Sequence, residues 1–312
     1  MRQFFLLGSF LSVSVLPCLS AQAQSIAANQ LQVRVRRTGQ SLIIVPVFVN
    51  GKGPYDFLLD TGSSATTIDR DLAAEVGLSM SGRTTILSIQ GGETTILTAK
   101  ANTVSLGEAA VSQLTVGVVK TLASAPVKAR GVLGEDFLSN FDLLLDYQHR
   151  YIQFDPRGGS LAETLAGEHI PLRLVGNDRL GPINNRLIVV ARLPELISNS
   201  VTLLLDSGAN VAVLFGPLLH LSSIRGSSVY AYGNSVSSPS IIAGNWEAIG
   251  QIVIGETTAI SLSTLVMGTQ IAWDVDGLLP TSAFHSIFIS HSGKFVIFNP
   301  HLISSLTQIP PH

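Results

Sequence analysis

Cysteine is almost missing: the chain of 312 residues holds one, Cys18. A single thiol forms no disulfide within the chain, so core and sheets alone must hold the fold. Charge is scarce as well, at 13% Asp, Glu, Lys and Arg against roughly 25% in an average globular protein. The net charge is −2 and like charges never gather into a block. That leaves no footprint for a phosphate backbone and excludes a nucleic-acid partner. Long hydrophobic runs are lacking too. The longest apolar stretch, residues 4–16, has 13 positions, short of the roughly 18–20 that cross a bilayer.

What is present is apolar and turn-rich. Hydrophobic residues reach 46% and mean hydropathy is +0.40, which excludes a disordered chain. Glycine numbers 28, helix-forming charged residues are few, and Val, Ile and Thr recur throughout. The expected class is all-β, with many short strands. The length fits about two domains.

The first residues read as a secretory signal. Arg2 is a positive start, residues 4–16 are the apolar region, and Ala21-Gln22-Ala23 is a small-residue cleavage site. Pro17 stands where a lipoprotein signal would need a small residue, so Cys18 leaves with the signal. The expectation is an exported protein, periplasmic or extracellular, whose mature form has no cysteine and no membrane span. Cysteine catalysis and thiolate metal sites drop out with it.

Strand signals begin soon after. Residues 42–49 are apolar, Asn50-Gly51 is a strong hairpin turn, and residues 55–59 run straight into Asp60. Residues 69–76 read as a short helix, capped by Asp69 and stopped at Gly77. Residues 84–98 form a second hairpin pattern around Gly91 and Gly92. That tip would be a plain turn or a flap over a cleft. Residues 230–233, with Tyr230 and Tyr232, are a candidate counterpart in the second half, or edge aromatics. Asp142, Asp146 and Asp155 have no matched partner motif and are expected to face solvent.

Internal repetition carries the functional argument. Leu58-Leu59-Asp60-Thr61-Gly62-Ser63 recurs as Leu204-Leu205-Asp206-Ser207-Gly208-Ala209. Gly131-Val132-Leu133-Gly134 follows the first copy and Gly277-Leu278-Leu279-Pro280 the second, each opening 71 residues after its aspartate (131 − 60 and 277 − 206). Each block leads to a strand with a similar end, residues 151–156 and 295–300. A lone Asp-Thr-Gly is an ordinary turn, but two copies in register with two glycine blocks indicate duplicated lobes. The divisions expected are a signal over 1–23, a first lobe over 24–158 and a second over 159–312.

These motifs resemble the retropepsin-like and pepsin-like aspartic proteases, and most of all bacterial exported aspartyl proteases with two retropepsin-type lobes. The resemblance covers nearly all of the mature chain. It implies a bilobal acid-protease fold: two pseudo-symmetric, barrel-like β lobes with few short helices, each supplying one aspartate to a shared site. One departure is Pro280 where the first lobe has Gly134, and a different turn is expected there.

The chemistry matches what the residues offer. Peptide hydrolysis without a metal or covalent nucleophile needs one carboxylate to take a proton from water and one carboxylic acid to polarise the scissile carbonyl. Asp60 and Asp206, placed close together, would share one proton. Gly62 and Gly208 let the backbone turn behind each carboxylate and offer it N–H groups. In the family, the hydroxyls at positions matching Thr61 and Ser207 bond across to the opposite lobe. Ser63 has a hydroxyl that Ala209 lacks, so the two aspartates should be inequivalent, with Ser63 donating to Asp60 and Asp206 holding the proton. The expected protein is a monomeric aspartic endopeptidase acting on extended peptides, without cofactor or metal. The alternative is a protease-like envelope protein that binds peptides without cutting them. Zinc-protease, serine-hydrolase and P-loop motifs are absent.

Overall fold

Turn chemistry builds the first lobe. Asn50 and Gly51 both take left-handed backbone conformations, φ 50° and 75°, and fold the strand Ile43–Val49 back on Lys52–Leu59. The computed structural model describes residues 31–34, 36–37, 42–87, 93–120, 122, 128–174, 176–178, 181–183, 185–196, 199–215, 228–235, 238–256, 258–267 and 274–303. Within them, Lys52–Leu59 runs parallel to Gly131–Leu133, which is flanked in turn by Thr67–Asp69, Ala109–Val119 and Glu93–Leu106. Phe48 opposite Ser105 and Val49 opposite Val104 return Glu93–Leu106 to the first strand. The result is a closed barrel.

The second lobe repeats the plan. The order is Ile188–Arg192, Ser200–Asp206, Gly277–Pro280, Ala212–Phe215, Thr258–Met267 and Ser238–Ile254. Ala191 opposite Ile254 closes it. The sequence repeat is therefore a structural one: Phe57 pairs with Gly131 in one lobe and Leu203 with Gly277 in the other.

A third sheet joins the lobes. Its order is Leu31–Arg34, Tyr151–Pro156, Phe141–Asp146, Ser286–Ser290, Phe295–Phe298 and Ile170–Pro171. Leu143 lies opposite Ile289, its own counterpart under the repeat, so the pseudo-twofold axis passes through that pair. Beneath the lobe junction one apolar core is continuous, and Leu59, Leu133, Leu205 and Leu279 all belong to it. Helices are few and short among the described residues. Arg70–Glu75 is capped as expected, with Asp69 accepting from the Leu72 N–H and Gly77 beyond its end at φ 76°.

One expectation changes here and another holds. Asp142 and Asp155 do not face solvent: both are 3% exposed. They lie opposite one another in the joining sheet, where the second lobe covers Asp142 with the Ser290 hydroxyl and the Ser292 N–H and hydroxyl, while the Leu161 N–H satisfies Asp155. Asp146 is also largely covered and caps its own turn, accepting from the His149 N–H at 2.6 Å. Pro280 does bring a different turn. Gly134 leads into the α-helix Glu135–Leu138, whereas Pro280 leads into a 3-10 turn, Thr281–Ala283. No helix among the described residues is long and apolar enough to cross a membrane.

Candidate functional site

The site grows from two strand ends. Lys52–Leu59 buries Phe57 and Leu59, and pairing with Gly131–Leu133 continues to the Asp60 N–H, which donates to the Leu133 carbonyl at 3.0 Å. The chain then turns sharply. Gly62 and Ser63 N–H groups both donate to Asp60 Oδ1, at 2.9 and 3.1 Å. The second lobe does the same, with Gly208 and Ala209 N–H groups donating to Asp206 Oδ1 at 2.7 and 3.0 Å. Each carboxylate is thus aimed by its own loop.

Thr61 and Ser207 bring the loops together. Thr61 N–H donates to Ser207 Oγ at 3.0 Å, and Ser207 N–H to Thr61 Oγ1 at 3.0 Å. Each hydroxyl then donates across the junction, Thr61 to the Leu205 carbonyl and Ser207 to the Leu59 carbonyl, both at 2.9 Å. Both residues are buried, and each hydroxyl gives one bond and takes one. The carboxyls of Asp60 and Asp206 are hydrogen-bonded to each other in consequence.

That contact fixes the electrostatics. Both aspartates are partly buried. Burial pushes the Asp60 carboxyl up, against the hydrogen bonds from Asp206 and from the Gly62 and Ser63 N–H groups. Asp206 is pushed well above the usual carboxylate range, first by burial and then by the charge of Asp60. Two like charges in contact cannot both ionise cheaply, so the pair holds a proton, and its titration belongs to the pair.

One expected contact is absent. The Ser63 hydroxyl donates to the Ala65 carbonyl at 2.9 Å instead of to Asp60, so its presence does not set the two aspartates apart. Ser63 reaches Asp60 through its backbone N–H, which Ala209 matches. Gly91 and Gly92 lie outside the described residues. Residues 230–233 fall in the edge strand Ser228–Ser235, the position that Met80–Leu87 holds in the first lobe.

A supporting set went unnoticed in the sequence. Asp136 accepts from the Thr66 N–H and hydroxyl at 2.8 and 2.6 Å, and Thr66 Oγ1 accepts from the Gly134 N–H at 3.1 Å. Gly134 has no room for a side chain, since a Cβ would lie 2.6 Å from the Ala65 carbonyl carbon. In the second lobe Pro280 has no N–H to give, and the position matching Thr66 is Ala212, which has no hydroxyl to take it. The two changes compensate. The signal was an acidic pair inside an otherwise apolar stretch, residues 131–138, whose partner is 70 residues away. Among the described residues no group of three or more His, Cys, Asp or Glu side chains is placed to hold a metal.

Residues 45–137 match a family model described as aspartyl protease. The first lobe is thus similar to that family. The matched residues run from the first barrel strand through both Asp60 and the Gly131–Leu133 strand, so they contain the whole of this lobe's half-site. The second lobe is tied to it by the internal repeat. Among solved structures, the chain is similar to a retropepsin-like aspartic protease from Rickettsia conorii, with 17% identity and a TM-score of 0.31, over 40% of this chain and 90% of that one. No curated protein matches the chain.

Proposed function

We propose that the protein is an exported aspartic endopeptidase in which Asp60 and Asp206 form a general acid–base dyad. The observation that carries this reading is the hydrogen-bonded contact between the two carboxyls, one from each lobe, at the end of two equivalent strands. With one proton between them, the ionised carboxylate takes a proton from water as the water oxygen attacks the scissile carbonyl carbon. The carboxylic acid gives its proton to the carbonyl oxygen. When the tetrahedral diol collapses, one of its hydroxyls gives its proton to the dyad's carboxylate as the C–N bond breaks, the amine nitrogen takes the proton of the dyad's carboxylic acid, and one proton remains on the pair. Both half-sites lie in one chain, which supports a monomer. The first 23 residues support export, and appearance of a shortened protein outside the cytoplasm would test it.

The experiment for the chemistry is cleavage of denatured casein by purified protein between pH 3 and 7. Cleavage is expected, and Asp60→Asn and Asp206→Asn should each abolish it. Activity surviving in either variant overturns the dyad, and binding of casein peptides without cleavage by the unaltered protein replaces the enzyme with a peptide-binding module.

A further inference from the structure

One buried acid–base pair has no part in the dyad scheme. Glu135 opens the helix after Gly134, and its backbone N–H donates to the Ser63 carbonyl at 2.8 Å. Ser63 N–H in turn holds Asp60 Oδ1, so two hydrogen bonds link the Glu135 backbone to the Asp60 carboxylate. The Glu135 side chain points the other way. Its Oε2 meets His291 Nε2 at 2.9 Å, 156 residues further on and in the second lobe, with both side chains 1% exposed.

The proton inventory of this pair is constrained. His291 Nδ1 stands 2.7 Å from the Phe141 carbonyl, which can only accept, so Nδ1 carries a hydrogen. Nε2 and Glu135 Oε2 therefore share one proton, as carboxylate with imidazolium or as carboxylic acid with imidazole. Glu135 Oε1 is buried without a hydrogen-bond partner, and burial pushes the Glu135 carboxyl up against the pull of His291, with smaller contributions from the negative charges of Asp136 and Asp60. Burial works against a charged His291, but the charge and hydrogen bond of Glu135, the Phe141 carbonyl and nearby Asp142 outweigh it and hold its affinity for a proton above normal.

The repeat supplies a control within the molecule. The counterpart of Glu135 is Thr281, which is fully buried and bonds across the junction to the Tyr147 hydroxyl at 2.5 Å. Both lobes thus anchor the segment behind the aspartate loop on the opposite lobe. The first uses ionisable groups and the second uses two hydroxyls.

We propose that Glu135 is a positioning residue for the Asp60 loop, anchored across the lobe junction by His291, and that their shared proton ties the geometry of that loop to pH. Both groups bind protons more tightly here than when free, so the anchor is complete at acidic pH and is lost as pH rises through the His291 titration. Beyond that point a carboxylate faces an imidazole nitrogen with no hydrogen, and the contact turns repulsive. The effect on turnover rests on the dyad reading above, while the anchoring of the loop does not.

The test therefore has two arms. In the first, the Asp60→Asn/Asp206→Asn protein, whose dyad no longer titrates, is followed by NMR across pH. The Ser63 amide and His291 ring signals should titrate together, and adding the near-isosteric Glu135→Gln should end that. A Ser63 amide that stays still while His291 titrates, or that is indifferent to Glu135→Gln, overturns the proposal. In the second arm, with the dyad intact, Glu135→Gln and His291→Leu should each lower kcat about ten- to a hundredfold with KM within about twofold. The double variant should lose no more than the worse single one, because the residues act as a unit. Losses that multiply, or that leave the shape of the pH profile unchanged, overturn it as well. Co-titration in the double-Asn protein, with an unaltered protein that cleaves nothing, would keep the anchor and remove the enzyme; cleavage by the unaltered protein without co-titration in the double-Asn one would do the reverse.

Discussion

Gly62 stands against Asp206: a Cβ on Gly62 would lie 2.6 Å from Asp206 Cγ, and one on Gly208 would lie 2.6 Å from Asp60 Cγ. Each glycine turns the chain behind its own aspartate and, at the same time, leaves room for the aspartate of the other lobe. The two roles meet only because the loops face each other across the pseudo-twofold axis.

Gly62→Ala and Gly208→Ala should therefore separate the carboxyls without disturbing either barrel. Casein cleavage is expected to fall by about a hundredfold or more in each variant, the scale of a displacement near 1 Å at reacting groups. Circular dichroism should match the unaltered protein. Full activity in Gly62→Ala would show that the carboxyls do not need this contact.

The Thr61 and Ser207 clasp gives a stability prediction. Thr61→Val keeps shape but leaves the Ser207 N–H and the Leu205 carbonyl unpaired, at about 1–3 kcal/mol for each buried group. Thr61→Ser retains the hydroxyl and should cost far less. Because the bonds are reciprocal, a denaturation cycle with Ser207→Ala should show non-additivity of about 0.5–3 kcal/mol. Strict additivity would mean the two hydroxyls do not act as one clasp.

The Asp60–Asp206 pair should weaken the fold as pH rises. Asp60 and Asp206 both hold protons more tightly in the folded protein than in the unfolded chain. Their contribution is thus complete below the ordinary carboxylate pKa and is lost as pH climbs through the raised values. Asp206→Asn removes that loss. It should raise Tm by roughly 2–4 °C at pH 7, the shift that 1 kcal/mol brings to a chain near this size, and change it little at pH 3. A variant less stable than the original at pH 7 would contradict the assigned direction.

Gly134 and Pro280 occupy equivalent places with opposite tolerances. Gly134→Pro removes the N–H that Thr66 Oγ1 receives and drives a Cβ into the Ala65 carbonyl, so a loss of about 3 kcal/mol or more is expected. Pro280→Gly only loosens the unfolded chain, at about 0.4–1 kcal/mol. Urea denaturation of the two variants checks the contrast.

The sequence alone determined the elements that local chemistry controls. Asn50-Gly51 placed the first hairpin, Asp69 and Gly77 bounded the helix, and the repeated Asp-Thr/Ser-Gly with its later glycine strand identified two equivalent lobes and named both aspartates. These are short-range turn preferences and a pattern repeated at one offset, and both are written in the order of residues. Only the tertiary structure decided which groups meet across the junction. The path of the loop gave the Ser63 hydroxyl to the Ala65 carbonyl instead of to Asp60. Asp142 and Asp155 looked like surface acids because their cover comes from the joining sheet and, for Asp142, from the opposite lobe. Glu135 and His291 carry no shared motif at all, being 156 residues apart. Burial and proton sharing belong to the packing of two lobes, and neither lobe's sequence contains the other's position.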